Sequence, residues 1–205
     1  MKSIAILGAS GHGKVVAEIA ELCGFRSIIF FDDNHGIKRL ESWKVIGDTE
    51  DLLSRLSSYD GCFVAIGDNK IRVKKTEILK NKNANIVSLI HPNAYVSEYS
   101  LVKKGTVVMA NASINPYASI GESCIINTSS TIEHDCLIGS GVHICPNSAL
   151  AGGVRVGNKT LVGIGSSIRQ NIEIGHNVII GTGSVVINNI PDSVLAFGVP
   201  AKIES

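Results

Sequence analysis

From residue 94 onward the apolar positions of the chain recur every six residues. Written in that frame the sequence runs AYVSEY SLVKKG TVVMAN ASINPY ASIGES CIINTS STIEHD CLIGSG VHICPN SALAGG VRVGNK TLVGIG SSIRQN IEIGHN VIIGTG SVVINN. The third place is aliphatic in all sixteen hexads, from Val96 to Val186, and no residue is inserted between them. The first place is nearly always small or β-branched. Alternate residues of an extended segment share a face, so the two columns point the same way. The pattern predicts one short strand and one corner per hexad, stacked into a parallel β-helix whose interior takes the aliphatic column. Cys124 and Cys136 stand in the small column and read as packing residues, with a spacing that suits no usual zinc site.

The first ninety residues follow another pattern. SIAILG is a short buried strand, and GHGKVVAEIAELCG has helical periodicity ending at glycine. SIIFFDDN reads as a second strand ending in acids, DLLSRLSSY as a helix and CFVAIGDN as a third strand. KIRVKKTEILKN is a further amphipathic helix, and NIVSLIHP reads as a fourth strand entering the repeats. Alternating strands and helices predict a small parallel sheet, half a Rossmann unit, with its ligand site at the strand ends. The expected organisation is thus an α/β domain over residues 1–90 and a β-helix with a C-terminal tail over 91–205.

Composition narrows the functions available. With 19 basic and 18 acidic residues and 5% aromatics, no nucleic-acid or anionic-membrane surface is expected. No apolar run approaches the roughly 18–20 residues that span a bilayer. The first, IAIL, is too short for a secretory signal and leads straight into a glycine loop. Five cysteines without a CxxC pair point to a reduced, cytoplasmic protein.

The glycine loop, GASGHGK at residues 8–14, lies between a strand and a helix, where backbone N–H groups can approach a phosphate. A P-loop would need Ser or Thr after Lys14, and Val15 stands there. A dinucleotide site would need the order G-x-G-x-x-G and more strands than the segment supplies. The third reading is a nucleotide-sugar pocket. In it Ser10, Gly11 and His12 face the diphosphate and sugar, Asp32 and Asp33 accept hydrogen bonds from base or ribose, and Gly67 closes the third strand end. An ordinary strand-ending turn accounts for Asp32 and Asp33 taken alone; three strand ends together favour a site.

The repeat half resembles the hexapeptide acyltransferases. That resemblance implies a left-handed β-helix with three hexads per triangular coil, so that residues 18 apart stack. In STIEHD the inward residue is Ile132, and Glu133 and His134 occupy the corner. Stacking by 18 then sets His134 beside Pro116 below and Gly152 above, with Asp135 under Gly153. An exposed imidazole next to bare backbone suits acyl transfer. His can take the acceptor's proton, a carboxylate can orient the ring, and a glycine N–H can stabilise an oxyanion. No GxSxG elbow is present and no cysteine has nucleophile context, so direct transfer is the simpler scheme.

GASGHG, FFDD, AIGDNKIR, SLIHP, INTSSTIEHD and FGVPAK together resemble the sugar-nucleotide N-acetyltransferases of bacterial glycan pathways, over essentially the whole chain. The bacillosamine-pathway type, which acetylates a UDP-4-amino-4,6-dideoxy sugar with acetyl-CoA, looks nearest, and sialic acid O-acetyltransferase-like proteins share the family. The resemblance implies His134 as general base and Asp135 as the acid that raises its basicity. It places Asn127 near the acceptor amine, and His143, Gly152, Ile164 and Thr182 on acetyl-CoA. Lys202 falls in a tail that commonly packs along CoA. It also implies a homotrimer with acetyl-CoA between adjacent β-helices and no metal. Val107, Ile125 and Leu161 are expected to leave apolar side chains exposed for that association. His143 points off a flat face towards solvent or another chain, and His176, a corner histidine without a neighbouring acid, reads as solvated.

Three functions follow: N-acetylation of a UDP-linked 4-amino sugar, with dTDP or GDP as alternative nucleotides; O-acetylation of a sugar; or a nucleotide-sugar-binding β-solenoid without catalysis.

Overall fold

The chain divides after Ile90 into two units, each with its own core, in a computed structural model that describes residues 1–204. The first unit is built on three parallel strands in the order β2 (Ser27–Phe31), β1 (Ser3–Leu7), β5 (Gly61–Val64). Helix α1 (Gly11–Leu22) follows β1, and α3 (Asn69–Asn81) follows β5. The strands read as near-continuous apolar runs because both faces are covered: Ile4, Ala5, Ile6, Phe30, Phe31 and Phe63 are all fully buried.

Three local readings change. The helix expected over DLLSRLSSY is α2 (Thr49–Leu53), with a separate 3-10 turn at Leu56–Ser58. A capping box between Asp48 and Asp51 starts it earlier, and Leu52 is its fully buried anchor. NIVSLIHP forms a single bridge from Ile86 to Cys62 and the two-residue strand β6 (Leu89–Ile90), not a full strand. A hairpin unanticipated from the pattern, β3 (Arg39–Leu40) and β4 (Trp43–Lys44), turns through Glu41 at φ 52°. Cys62, on β5, is buried, and burial pushes its thiol up to about 11.

The second unit is the expected β-helix. Sixteen two-residue strands run from β7 (Tyr95–Val96) to β22 (Val185–Val186), and strands 18 residues apart pair in parallel register, as in Thr131 with Ala149 and His143 with Leu161. They form three flat faces. The outward residues of the first are Tyr95, Ser113, Thr131, Ala149, Ser167 and Val185. The second carries Leu101, Ser119, Leu137, Arg155 and Glu173, and the third Val107, Ile125, His143, Leu161 and Ile179. The third face continues through β23 (Leu195–Gly198), capped antiparallel by β24 (Ala201–Ile203).

Two regularities explain the hexad. Its sixth place turns the corner in the left-handed backbone region at every hexad from Gly105 (φ 74°) to Gly183 (φ 69°), which is why Asn, Ser, Asp and Gly collect there. Its first place is small because it faces the backbone of the next coil. Ser148, Thr160 and Ser166 hydroxyls donate to the carbonyls of Gly163, Gly175 and Gly181, and the thiols of Cys124 and Cys136 do the same to Gly139 and Ala151.

Two surface expectations are corrected. Val107 and Ile125 are buried by the chain's own atoms, at 0% and 1% exposure, and Leu161 is half-buried. They are not an apolar strip awaiting another copy. His176 is exposed but not merely solvated. One corner column forms a ladder in which each backbone N–H donates to a side chain on the following coil. Ser140 N donates to Asn158 Oδ1 at 2.8 Å, Asn158 N to His176 Nδ1 at 2.8 Å, and His176 N to Asp192 Oδ1 at 2.7 Å.

Candidate functional site

In the β-helix, His134 and Asp135 occupy the corner between the first and second faces. Asp135 takes the left-handed corner place, φ 61°, which swings its carboxylate back onto the preceding residue. Its Oδ2 lies 2.7 Å from His134 Nδ1. A carboxylate only accepts, so the imidazole proton sits on Nδ1 and Nε2 is left with a lone pair. That Nε2 borders Gly152 one coil on, where an added Cβ would stand 2.6 Å from both Nε2 and Cε1. The Gly153 N–H donates to the His134 carbonyl at 2.9 Å, and the Asp135 N–H to Pro116 at 3.2 Å, so backbone on both sides fixes the corner. The Gly152 N–H makes no hydrogen bond among the described residues. Both side chains of the pair are about three-fifths exposed, at 63% and 62%.

Asn127, His143, Ile164 and Thr182 lie elsewhere on the prism. Asn127, Ile164 and Thr182 are on the corner between the third and first faces, and His143 stands on the third face itself. Asn127 Oδ1 accepts from Thr128 N at 2.8 Å, which orients the amide so that Nδ2 donates to His143 Nε2 at 3.0 Å. Ile164 is half-exposed, at 49%. Within one chain, then, the His134–Asp135–Gly152 set and the Asn127–His143–Ile164–Thr182 set occupy two different edges. Lys202 lies in β24, exposed.

An open cavity of about 770 Å³ lies at neither edge. It is an open groove on the second face lined by Leu137, Arg155, Asn158, Glu173, His176 and Asp192. At the His134 corner, by contrast, an imidazole oriented by a carboxylate meets bare backbone at Gly152. Among the described residues no group of three or more His, Cys, Asp or Glu side chains could hold a metal ion.

In the first unit the strand ends bring together the glycine loop, Asp32, Asp33 and Gly67. Ser10 begins α1 but its hydroxyl caps nothing. An added Cβ at Gly11 or Gly67 would meet nothing within 4 Å, whereas one at Gly8 (φ 113°) would stand 2.6 Å from the Ala65 carbonyl oxygen. Gly8 is a position that only glycine fits, and at Gly13 an added Cβ would stand 2.5 Å from the Gly8 carbonyl oxygen. Asp32 ties the loop to β2: its Oδ2 accepts from Ala9 N at 2.7 Å and its Oδ1 from Asn34 N at 2.8 Å. Asp33 is engaged on both oxygens. Oδ1 accepts from Thr49 N at 2.9 Å and Thr49 Oγ1 at 2.6 Å, and Oδ2 from Lys75 Nζ at 2.6 Å. Partial burial pulls the Asp33 carboxyl upward, but hydrogen bonds from Lys75 and Thr49 and the Lys75 charge outweigh it and hold the group at about 2. His12 is held neutral, lowered to about 4 by burial and then by the charge of Arg72. Its Nε2 is buried and has no hydrogen-bond partner among the described residues.

Sequence reasoning missed Lys75 and Arg72. The signal was the AIGDNKIR segment, whose following helix turns both cations towards the strand ends.

A small Rossmann-like domain followed by a parallel β-helix of hexapeptide repeats is the architecture of the left-handed β-helix acetyltransferases. Residues 3–79 match the family model of the PglD N-terminal domain, and residues 117–152 match that of the bacterial transferase hexapeptide (six repeats). UDP-N-acetylbacillosamine N-acetyltransferase of Bacillus subtilis (strain 168) is 40% identical over 115 residues, a match spanning 54% of this chain and 52% of that protein. The crystal structure of a histidine-to-asparagine mutant of perosamine N-acetyltransferase from Caulobacter crescentus, in complex with CoA and GDP-perosamine, is 38% identical. It superposes with a TM-score of 0.96 over 100% of this chain and 98% of that one. The acetyltransferase domain of PglB from Neisseria gonorrhoeae, in complex with acetyl coenzyme A, is 37% identical with a TM-score of 0.95, covering 99% of each chain. The chain belongs to the hexapeptide-repeat sugar N-acetyltransferases.

Proposed function

We propose that this protein transfers an acetyl group from acetyl-CoA to the 4-amino group of a UDP-linked 4-amino-4,6-dideoxy sugar, by direct attack with His134 as general base. The observation that supports it most is the His134–Asp135 contact at 2.7 Å, which leaves the Nε2 lone pair beside Gly152. The amine nitrogen bonds to the thioester carbonyl carbon while its proton passes to Nε2. The C–S bond then breaks, and the imidazolium returns the proton to the CoA thiolate. Asp135 stabilises the imidazolium between those steps, and the Gly152 N–H donates to the developing oxyanion. Transfer in one complex needs no acyl-enzyme.

The N-terminal unit takes the nucleotide sugar. Ser10, Gly11 and Gly67 border the open side of the strand ends, and His12 offers a neutral imidazole to a sugar or phosphate oxygen. Asp32 keeps lone pairs for the base or ribose, while Asp33, committed to Lys75 and Thr49, shapes the pocket floor. Acetyl-CoA takes His143, Gly152, Ile164 and Thr182, with Lys202 in the tail and Asn127 near the acceptor amine. Because these residues sit on two edges of the prism, a complete site draws one edge from each of two chains, as in a homotrimer with three such sites. Five free thiols suit a reducing, cytoplasmic setting.

A GDP-linked acceptor is the second reading, favoured by the full-length similarity to the Caulobacter enzyme crystallised with GDP-perosamine. The test is an acetylation assay with UDP-, dTDP- and GDP-linked 4-amino-4,6-dideoxy sugars. Preference for UDP by tenfold or more in kcat/KM supports the first reading, preference for GDP the second, and no turnover with any of them refutes both.

A further inference from the structure

The largest fully buried side chain in the molecule is cationic. Arg72, in the first turn of α3, has no exposed surface. Its Nη1 donates to the carbonyls of Ile66 and Gly67, each at 2.9 Å, and its Nη2 to Asn69 Oδ1 at 2.7 Å. A planar guanidinium that engages three acceptors fixes their mutual positions in a way that a compact ammonium does not. Burying such a group is costly unless each donor finds its acceptor. An apolar side chain would fill the space without that cost, so the fork makes sense where the carbonyl positions themselves matter.

They matter because this turn abuts the glycine loop. Ala65, next to Ile66, is the residue whose carbonyl forbids a side chain at Gly8. His12, in that loop, feels the Arg72 charge, and its Nε2 is buried and unpartnered among the described residues. At Gly11 and at Gly67 a side chain would meet open space. One buried cation therefore touches the turn directly and the loop through its field.

We propose that Arg72 is a positioning residue for the nucleotide sugar, clamping the Ile66–Gly67 turn against the glycine loop and setting the pose in which His12 meets the substrate. This rests on the reading of the N-terminal unit as the nucleotide-sugar site.

The test compares R72Q, R72K and N69A with the wild type in calorimetric binding of whichever sugar nucleotide of the UDP, dTDP and GDP panel the wild type turns over, and in steady-state kinetics. R72Q is expected to raise Kd and KM for the sugar nucleotide about tenfold or more, R72K less and N69A least, with the KM for acetyl-CoA unchanged. In R72Q the His12 imidazole, followed by NMR, should titrate above its wild-type value of about 4, whereas R72K, which keeps a cation there, should stay closer to that value; an equal rise in both would point to lost packing and count against the role of the Arg72 charge. Should R72Q not fold, R72K and N69A carry the same comparison. Folded variants that bind the sugar nucleotide as the wild type does overturn the role of Arg72. A wild-type chain that acetylates the sugar but whose isolated glycine-loop variant G11W binds it unchanged would instead overturn the placement of the site.

Discussion

A methyl group on Gly152 would stand 2.6 Å from Nε2 of His134, the nitrogen that Asp135 leaves with a lone pair. Gly152 does not have a positive φ, so Ala is conformationally admissible there and the conflict is with the ring alone. The G152A variant should keep its melting temperature within a few degrees, because the exposed ring can swing aside. Its kcat should fall by roughly tenfold or more. Differential scanning calorimetry beside steady-state kinetics separates the two effects.

Asp135 holds the imidazole tautomer. Asn tolerates the left-handed backbone at this corner (φ 61°), so D135N changes charge and hydrogen-bonding sense without straining the turn. An amide that donates to Nδ1 would move the ring proton to Nε2. The expected result is a kcat reduced by roughly 10² or more, with both KM values close to wild type. An unchanged kcat would mean that the contact orients nothing of consequence.

The division of site residues between two edges of one prism predicts complementation. H134N and an Ile164→Arg variant should each be inactive as pure assemblies. Refolded together, they should recover part of the activity, since mixed assemblies contain some interfaces with both edges intact. Lack of any recovery, with mixed assemblies shown by native mass spectrometry, counts against a site shared by two chains.

Stability should respond to acid through Asp33. Its carboxyl is held at about 2 by Lys75 and Thr49, below the ordinary value, so its contribution is fully present above about pH 4 and is lost as pH falls towards 2. Thermal melts of K75M should show a weaker fall over that window than the wild type. Half the Asp33 side chain is exposed (52%), so the difference is that of a screened surface pair, under about 1 kcal/mol.

The β-helix was legible because its hexad admits no drift. A one-residue slip would turn Ile132 and Ile138 outward, and neither does: both are buried. The strands of the N-terminal unit were equally plain, since after their leading serines IAIL and IIFF have no polar residue to expose. What the pattern did not reveal were effects that act across space. The Asp135 carboxylate bends back to His134 because of a left-handed corner, a feature visible in the coordinates and only latent in the repeat of Asn, Ser and Gly at that place. Lys75 and Arg72 look like helix-surface cations in sequence, yet one pairs with Asp33 and the other is fully buried beneath a turn. Val107 and Ile125 occupy outward places that the repeat alone would leave exposed, yet both are buried.

The most direct measurement is the single-turnover rate of acetyl transfer by H134N, with acetyl-CoA and the preferred sugar nucleotide saturating. If His134 removes the amine proton, the rate falls by roughly 10²–10⁴, while binding of both substrates, measured by calorimetry, stays within about threefold of wild type. A rate equal to the wild type under saturation would contradict the assignment of His134 as the base.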